Sequence, residues 1–242
     1  MSADNGRFLD IATNSLLSRD VILQHKDAGT VVIDPFVPEN LGTASYDVTL
    51  GQHYFREQNL GLLKTIYSPW DELDVKDVWG RPQIAKEAGE LFEQEGLRIP
   101  GGISANDRVI LIGPGETILG HTEEFIGGHG NVTTMMKARS SMGRNFISVC
   151  KCAGWGDVGY INRWTMEITN NSTRFSIPLV VGRRIAQIAF FQVDNFSGRS
   201  YGQEGKYQGG INLEEVKRKW LPHDMLPKMW KDREVQKQSS AE

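Results

Sequence analysis

The sequence predicts a mainly β protein, an antiparallel sandwich or barrel with short helices at its edges. Three observations point there. Glycine supplies 26 of 242 residues, about 11%, against roughly 7% in an average protein, which favours many turns and short strands. The apolar runs Arg108 to Ile112 and Thr117 to Gly120 are separated only by Gly113-Pro114-Gly115 and its neighbour, and closely spaced turns suit antiparallel pairing. Trp164, Met166 and Ile168 alternate with Thr165, Glu167 and Thr169, the period-two pattern of a strand with one apolar face. A chain of this length buries one good core and can be a single domain.

In chain order, Ser18 is placed to cap a short helix through RDVILQHKD, with Val21 and Ile22 inward and Gly29 as its stop. Val31-Val32-Ile33 reads as a strand halted at Asp34-Pro35, and ASYDVTLG from Ala44 to Gly51 alternates as another. From 56 to 102 periodicity weakens and charge is dense, so this stretch reads as an excursion from the core rather than a separate domain. Ile177 to Gly182 supplies a turn, and RRIAQIAFF from Arg183 to Phe191 is apolar enough to be central. Gln187 within it needs a partner if buried, from the protein or from a ligand. Residues 197 to 210 form a Gly-rich run carrying Arg199, Tyr201, Lys206 and Tyr207. It reads either as an ordinary linker or as a segment that folds over an anionic ligand and excludes water. Asn212 to Val216 opens a helix with acidic residues in its first turn, ended by Pro222, and the remainder from His223 reads as charged and peripheral.

The net charge of -3 leaves no basic excess for coating a nucleic-acid polymer. It fits a small anionic ligand gripped locally. Nothing at the N-terminus reads as a leader, and no apolar stretch approaches the ~20 residues of a membrane span. The expected location is the cytoplasm, with no membrane partner.

The segment from Ala138 to Glu167 concentrates the chemistry. Arg139-Ser140-Ser141-Met142-Gly143-Arg144 offers two guanidinium forks and two hydroxyls, suited to phosphate oxygens, or else forms a polar turn with solvated arginines. Ala153 to Tyr160 holds three glycines, which imply close approaches or backbone angles that a side chain forbids. Asp157 on that loop either accepts a hydrogen bond from a sugar hydroxyl and orients a water, or caps its own turn. Glu167 sits on the second face of its strand. If that face looks into a cleft, burial favours a neutral carboxyl suited to general acid–base work; otherwise it is a glutamate on a solvated face.

Cys150 and Cys152 are two apart on what reads as a strand, sharing one face and poorly placed for a disulfide. His121-Thr122-Glu123 followed by these cysteines is similar to the H-x-E and P-C-x-x-C signature of zinc nucleobase deaminases. The spacing here is C-x-C with no proline, so the ligand geometry fails and no zinc is expected.

ARSSMGR, AGWGDVGY, WTMEITN, GRRIAQIAFF and GKYQG stand in the order found in dCTP deaminases, the trimeric relatives of dUTPase, and SRDVI and SYDVTLG are similar to that family's opening helix and first strands. The resemblance covers residues 17 to 211, with 1 to 16 as an N-terminal extension, 56 to 102 as an excursion and 212 to 242 as a helical tail. It implies a distorted antiparallel β-barrel or jelly-roll of the dUTPase-like type, assembled as a homotrimer.

The resemblance further implies that Arg139, Ser140, Ser141 and Arg144 grip a triphosphate, with Ser140 and Arg144 also close to the reacting base. Gly143, Trp155, Thr165 and Met166 join the implied substrate-binding set. Asp157 would take the deoxyribose 3′-hydroxyl, Tyr160 would exclude a 2′-hydroxyl, and Glu167 would activate water for attack at C4 of cytosine and then protonate the departing ammonia. Gln187, Tyr201, Lys206, Tyr207 and Gln208 would form the wall and closing lid. The implied catalytic set is therefore Glu167, Ser140, Arg144 and Asp157, with Mg²⁺ carried on the triphosphate, dCTP or also dUTP as substrate, and dTTP as a feedback inhibitor.

A strand glutamate favours a deaminase over a plain dUTPase or a regulatory trimer that only binds nucleotide. The AGW tripeptide resembles the bifunctional branch that yields dUMP rather than dUTP. Departures from the family pattern stand at Gly156, Val158 and Gly210, with Asn212 a candidate replacement for the lid contact. The excursion and tail exceed what most members carry, as in a viral enzyme acting in a host cytoplasm.

Overall fold

The computed structural model describes residues 15–61, 64–195, 200–208, 210 and 212–239. Its elements in order are α1 (Arg19–Asp27), β1 (Val31–Asp34), β2 (Tyr46–Thr49), β3 (His53–Arg56), α2 (Glu72–Trp79), β4 (Gln83–Ile84), β5 (Lys86–Glu87) and α3 (Ala88–Gln94). There follow β6 (Arg108–Ile112), β7 (Thr117–Gly128), β8 (Val132–Ala138), α4 (Ser140–Arg144), β9 (Ile147–Ser148), β10 (Trp155–Gly156) and β11 (Ile161–Asn170). The chain closes with β12 (Ile177–Val180), β13 (Arg184–Gln192), α5 (Tyr201–Glu204), α6 (Leu213–Lys219) and α7 (Arg233–Ser239).

All strand pairs are antiparallel, as the short turns predict. They form three sheets rather than one closed barrel: β4-β3-β7-β11-β9 with β1 also on β7, then β10-β8-β13-β2, and β12-β6-β5. One core joins them, with Val31, Ile126, Trp164, Met166 and Ile168 from the first sheet, Tyr46, Met136, Ile188 and Phe190 from the second, and Ile110 and Ile112 from the third. α1 covers the core with Ile22 and Val21 facing in and Gly29 in the left-handed region beyond its end, as the sequence predicts.

Three expectations need correction. The stretch from 56 to 102 is stitched into the sheets, because β4 pairs with β3 and β5 with β6. The tail is not peripheral: Met225 and Leu226 are 3% exposed and pack with Phe55, Val75 and Leu119, against Trp79, Trp220 and Trp230. Cys150 and Cys152 lie on a turn, not a strand, with Cys150, Lys151 and Cys152 all at positive φ; Cys150 is buried, Cys152 is exposed, and both are free thiols. Residues 1 to 14 of the extension and Arg199 of the Gly-rich run fall outside the described residues. Among those described, no helix is long and apolar enough to cross a membrane.

The inward face of β11 decides where its polar face points. Trp164, Met166 and Ile168 are at most 4% exposed, and each such side chain contributes about 1.5–3 kcal/mol on burial. A one-residue slip would expose all three and bury Thr165, Glu167 and Thr169, so the register is strongly specified. Ile168→Ala should destabilise the fold by about 2–5 kcal/mol in urea denaturation.

Candidate active site

The polar face of β11 forms one wall of a cavity of about 540 Å³, with Thr165 and Glu167 facing Thr117 and Leu119 of β7. Glu167 pairs in register with Leu119, so its carboxyl rises beside an aliphatic neighbour rather than a hydrogen-bond donor. Its Oε2 is buried and has no hydrogen-bond partner in the protein. Burial raises the carboxyl above its usual range, offset by its own backbone hydrogen bond and by the nearby Lys151 ammonium. A half-buried acid with an unused oxygen in a cavity is a candidate for proton transfer.

Asp157 reaches the same cavity on a loop that its glycines make possible. A Cβ on Gly154 would lie 2.2 Å from the Met136 carbonyl oxygen, and one on Gly156 would lie 2.4 Å from Thr134 Oγ1 and 2.5 Å from the Trp164 ring. The departure from the family pattern at Gly156 thus has a packing cause: Trp164 and Thr134 occupy the space. Asp157 accepts a hydrogen bond from Trp155 Nε1 at 3.1 Å, and its backbone carbonyl accepts from Tyr160 N at 2.9 Å. The turn is thus closed by the Asp157 backbone, while its carboxylate bonds the Trp155 indole and lines the cavity. Tyr160 stands edge-on to Trp164 and Tyr201, at 5.2 and 5.1 Å between centroids, and burial raises its phenol.

The far wall comes from the Gly-rich run and the tail, through Tyr201, Tyr207, Trp220, Asp224, Met225 and Pro227, with Trp79 from α2. The run is tied down: Gln208 accepts from Ile161 N at 2.7 Å and donates to the Gly159 carbonyl at 3.0 Å, and Asn162 donates to the Tyr207 carbonyl at 2.8 Å. The tail holds it from outside, Lys228 N donating to the Tyr207 hydroxyl at 3.1 Å and Lys206 pairing with Asp232. Lys206 faces a second cavity, of about 770 Å³, that shares Trp155, Asp157 and Tyr201 with the first. Asn212 does not serve as a lid contact, because it caps α6 by accepting from Glu215 N at 3.0 Å. Gly210 packs against Glu215, where a Cβ would meet Cγ at 2.8 Å.

The structure does not bring the arginine–serine motif into this cavity within one chain. Ser140, Ser141, Gly143 and Arg144 form α4, and Arg139 lines a separate hollow with Arg183 and Arg184. Asp47 organises that region: it accepts from Arg184 Nη1 at 3.0 Å and Gln187 Nε2 at 2.9 Å, and pairs with Arg139 Nε at 3.4 Å. Gln187 thus finds its partner in the protein. Met166 points into the core at 0% exposure, so only its backbone is available to a ligand. His121 is also a core residue: its Nδ1 bonds the Thr122 carbonyl at 2.8 Å and its Nε2 accepts from His53 N at 3.2 Å. That tautomer occupies both ring nitrogens, burial pushes the imidazole down to about 3, and His121 has no lone pair left for a metal.

Sequence reasoning missed Asp47, Lys151, Trp79 and the four tail residues. Asp47 sat visibly inside an alternating strand, and only its pairing register with Gln187 reveals the role. Trp220, Met225 and Pro227 carried a signal in hindsight, large apolar residues in an otherwise charged tail.

A family described as dCTP deaminase-like matches residues 16–193. A protein named "dCTP deaminase, dUMP-forming" from Bifidobacterium longum (strain DJO10A) is 32% identical over 197 residues, 80% of this chain and 89% of the relative. One of the same name from Methanopyrus kandleri is 30% identical over 201 residues, 81% of this chain and 91% of the relative. The solved 2'-deoxycytidine 5'-triphosphate deaminase from Agrobacterium tumefaciens has a TM-score of 0.49 at 16% identity, over 75% of this chain and 49% of that one.

The buried carboxyl makes a testable difference to stability. The folded-state value of Glu167 lies above its unfolded one, so its favourable contribution is present at acidic pH and is lost as pH rises through the folded value. Glu167→Gln should therefore raise the thermal midpoint at about pH 8, and the gain should shrink towards about pH 4, where the native acid is neutral in both states.

Proposed function

The chain belongs to the dCTP deaminase-like family, and from that premise we propose that it removes the 4-amino group of dCTP by hydrolysis. The observation that carries this reading is the unpartnered oxygen of Glu167, half-buried in a cavity shared with Asp157 and Tyr160. The ionised carboxylate takes a proton from water as the water oxygen bonds to C4. Attack leaves the C4=N3 electron pair on N3, which takes up the proton of the new C4 hydroxyl; the tetrahedral carbon then loses ammonia, the Glu167 proton passing to the departing nitrogen as the C–N bond breaks and the C4 carbonyl forms. One dCTP and one water give dUTP and ammonia.

The curated relatives named above are dUMP-forming, and we extend that outcome to this chain. A second water attacks the α-phosphorus, the bond to the bridging oxygen of the β-phosphate breaks, and dUMP and diphosphate leave. In this reading Asp157 takes the sugar 3′-hydroxyl and orients that water, and Tyr160 lies against the deoxyribose; that both residues line the cavity supports it. Arg139, Ser140, Ser141, Gly143 and Arg144 hold the phosphates, with the guanidinium forks matching their oxygens. Among the described residues no group of three or more His, Cys, Asp or Glu could cage a metal ion. We propose that Mg²⁺ arrives on the triphosphate and neutralises part of its charge.

Arg139 and the acid on β11 line different hollows of one chain, and Ser140, Ser141, Gly143 and Arg144 line neither. The reading therefore includes a homotrimer in which the phosphate grip of one subunit serves the cavity of another.

Incubation with dCTP and Mg²⁺, followed by chromatography, should yield dUMP, diphosphate and ammonia; dUTP as the end product would remove the second step, and unchanged dCTP beside consumed dUTP would leave a dUTPase. Glu167→Gln should lower ammonia release by about 10²–10⁴-fold while calorimetry still detects dCTP binding. Mixing inactive Glu167→Gln and Arg144→Ala chains after co-refolding should restore part of the activity, because some cavities would then combine an intact acid with an intact grip. No recovery from a demonstrably mixed oligomer would rule out a shared site.

A further inference from the structure

Lys151 is the feature of this cavity that the family reading leaves unused. It follows β9 on a turn in which Cys150, Lys151 and Cys152 have φ of 59, 25 and 73°, three consecutive side-chain-bearing residues in the left-handed region. Each such outlier is costly and persists only where surrounding structure imposes it. The surroundings here do so. Cys150 is 5% exposed, Ala153 N donates back to the Cys150 carbonyl at 2.6 Å, and Met136 N donates to the Gly154 carbonyl at 2.7 Å. The Gly154 backbone lies flush against the Met136 carbonyl. The strained turn carries Lys151 into the cavity wall that also holds Glu167. There its Nζ donates to Thr117 Oγ1 at 3.1 Å, and Thr117 is bonded in turn to Thr169 Oγ1 at 2.7 Å, one step along the polar face from Glu167.

We propose that Lys151 is a positioning residue for proton transfer, its exposed ammonium held by Thr117 in the cavity wall that also carries Glu167. The proposal rests on the assignment of Glu167 as the base. Glu167 faces two opposed demands: burial disfavours its charge, yet it must be charged to accept a proton. Lys151 acts against the first of these, and its charge lowers the carboxyl that burial raises.

The other ionisable groups around the cavity are neutral or engaged. Burial lifts the Cys150 thiol to about 11 and the Tyr201 phenol to about 12, and raises Tyr160 further. His121 on β7 is held neutral by burial. Arg163 on β11 pairs with Glu123 at 3.0 Å and lies under Trp220, and Asp224 of the tail pairs with Lys228 at 3.0 Å. Asp157 accepts from Trp155, and Tyr207 accepts from Lys228 N. Lys151, by contrast, spends its hydrogen bond on an uncharged hydroxyl.

Two measurements on the full chain test this. In the pH profile of kcat/KM for dCTP, Lys151→Met should move the acidic limb upward, with a several-fold larger loss at about pH 6 than at about pH 9, and Lys151→Arg should restore most of it. A loss equal at all pH values, or an unmoved limb, would overturn the proposal. Thr117→Val, which frees the ammonium without removing it, should shift the limb in the same direction by less. The second readout needs no activity, and so separates failure of this proposal from failure of the deaminase assignment. Lys151→Met should lower the thermal midpoint more at about pH 8 than at about pH 4, because the lost partner matters only once Glu167 ionises. In a Glu167→Gln background that pH dependence should vanish; if it persists, Lys151 acts on some other group.

Discussion

The burial of one face of β11 is the constraint on which the site depends. Trp164, Met166 and Ile168 cannot leave the core without exposing three large apolar side chains, so Thr165 and Glu167 are committed to the opposite face. β7 reinforces this from the next position in the sheet, pairing with β11 along most of its length and placing Leu119 beside Glu167. The acid is thus raised in energy by its neighbours, and the core supplies the stability that tolerates it.

Two distortions of the ladder then bring chemistry to that face. The glycines of the Asp157 loop let its backbone press against Met136 and Thr134 where any side chain would collide. The left-handed turn at Cys150 to Cys152 swings Lys151 into the cavity. Both lean on β8, so the second sheet shapes a site whose acid belongs to the first. Strain concentrated at a cavity wall is the expected signature of a functional site.

The tail adds the opposite wall. Met225 and Leu226 join a small core beneath it, Trp220 covers His121 and Arg163, and Lys228 and Asp232 restrain Tyr207 and Lys206. This tail lies beyond the residues matched by the family, so part of the cavity wall comes from outside the matched region. The region of Arg139 is arranged by a different device, in which Asp47 gathers Arg139, Arg184 and Gln187 on a surface away from the acid.

Local pattern was enough for the strands, their antiparallel class, the opening helix and the face on which Glu167 stands, because period-two alternation and glycine spacing are properties of neighbouring residues. It was also enough for the membership that the ordered motifs imply. It was not enough for Cys150 to Cys152, read as a strand because nothing in three consecutive residues announces a left-handed turn that distant packing imposes. Nor did it reveal Asp47, Lys151 or the tail, whose roles arise from pairing across many residues of chain. The sequence by itself determined which side chains are chemically able to act and which face of each strand they occupy. Only the tertiary structure decided which of them meet: it joined Glu167, Asp157 and Lys151 in one cavity and set Arg139 and Arg184 in another, because the close packing of one core across three sheets leaves each loop a single place to go.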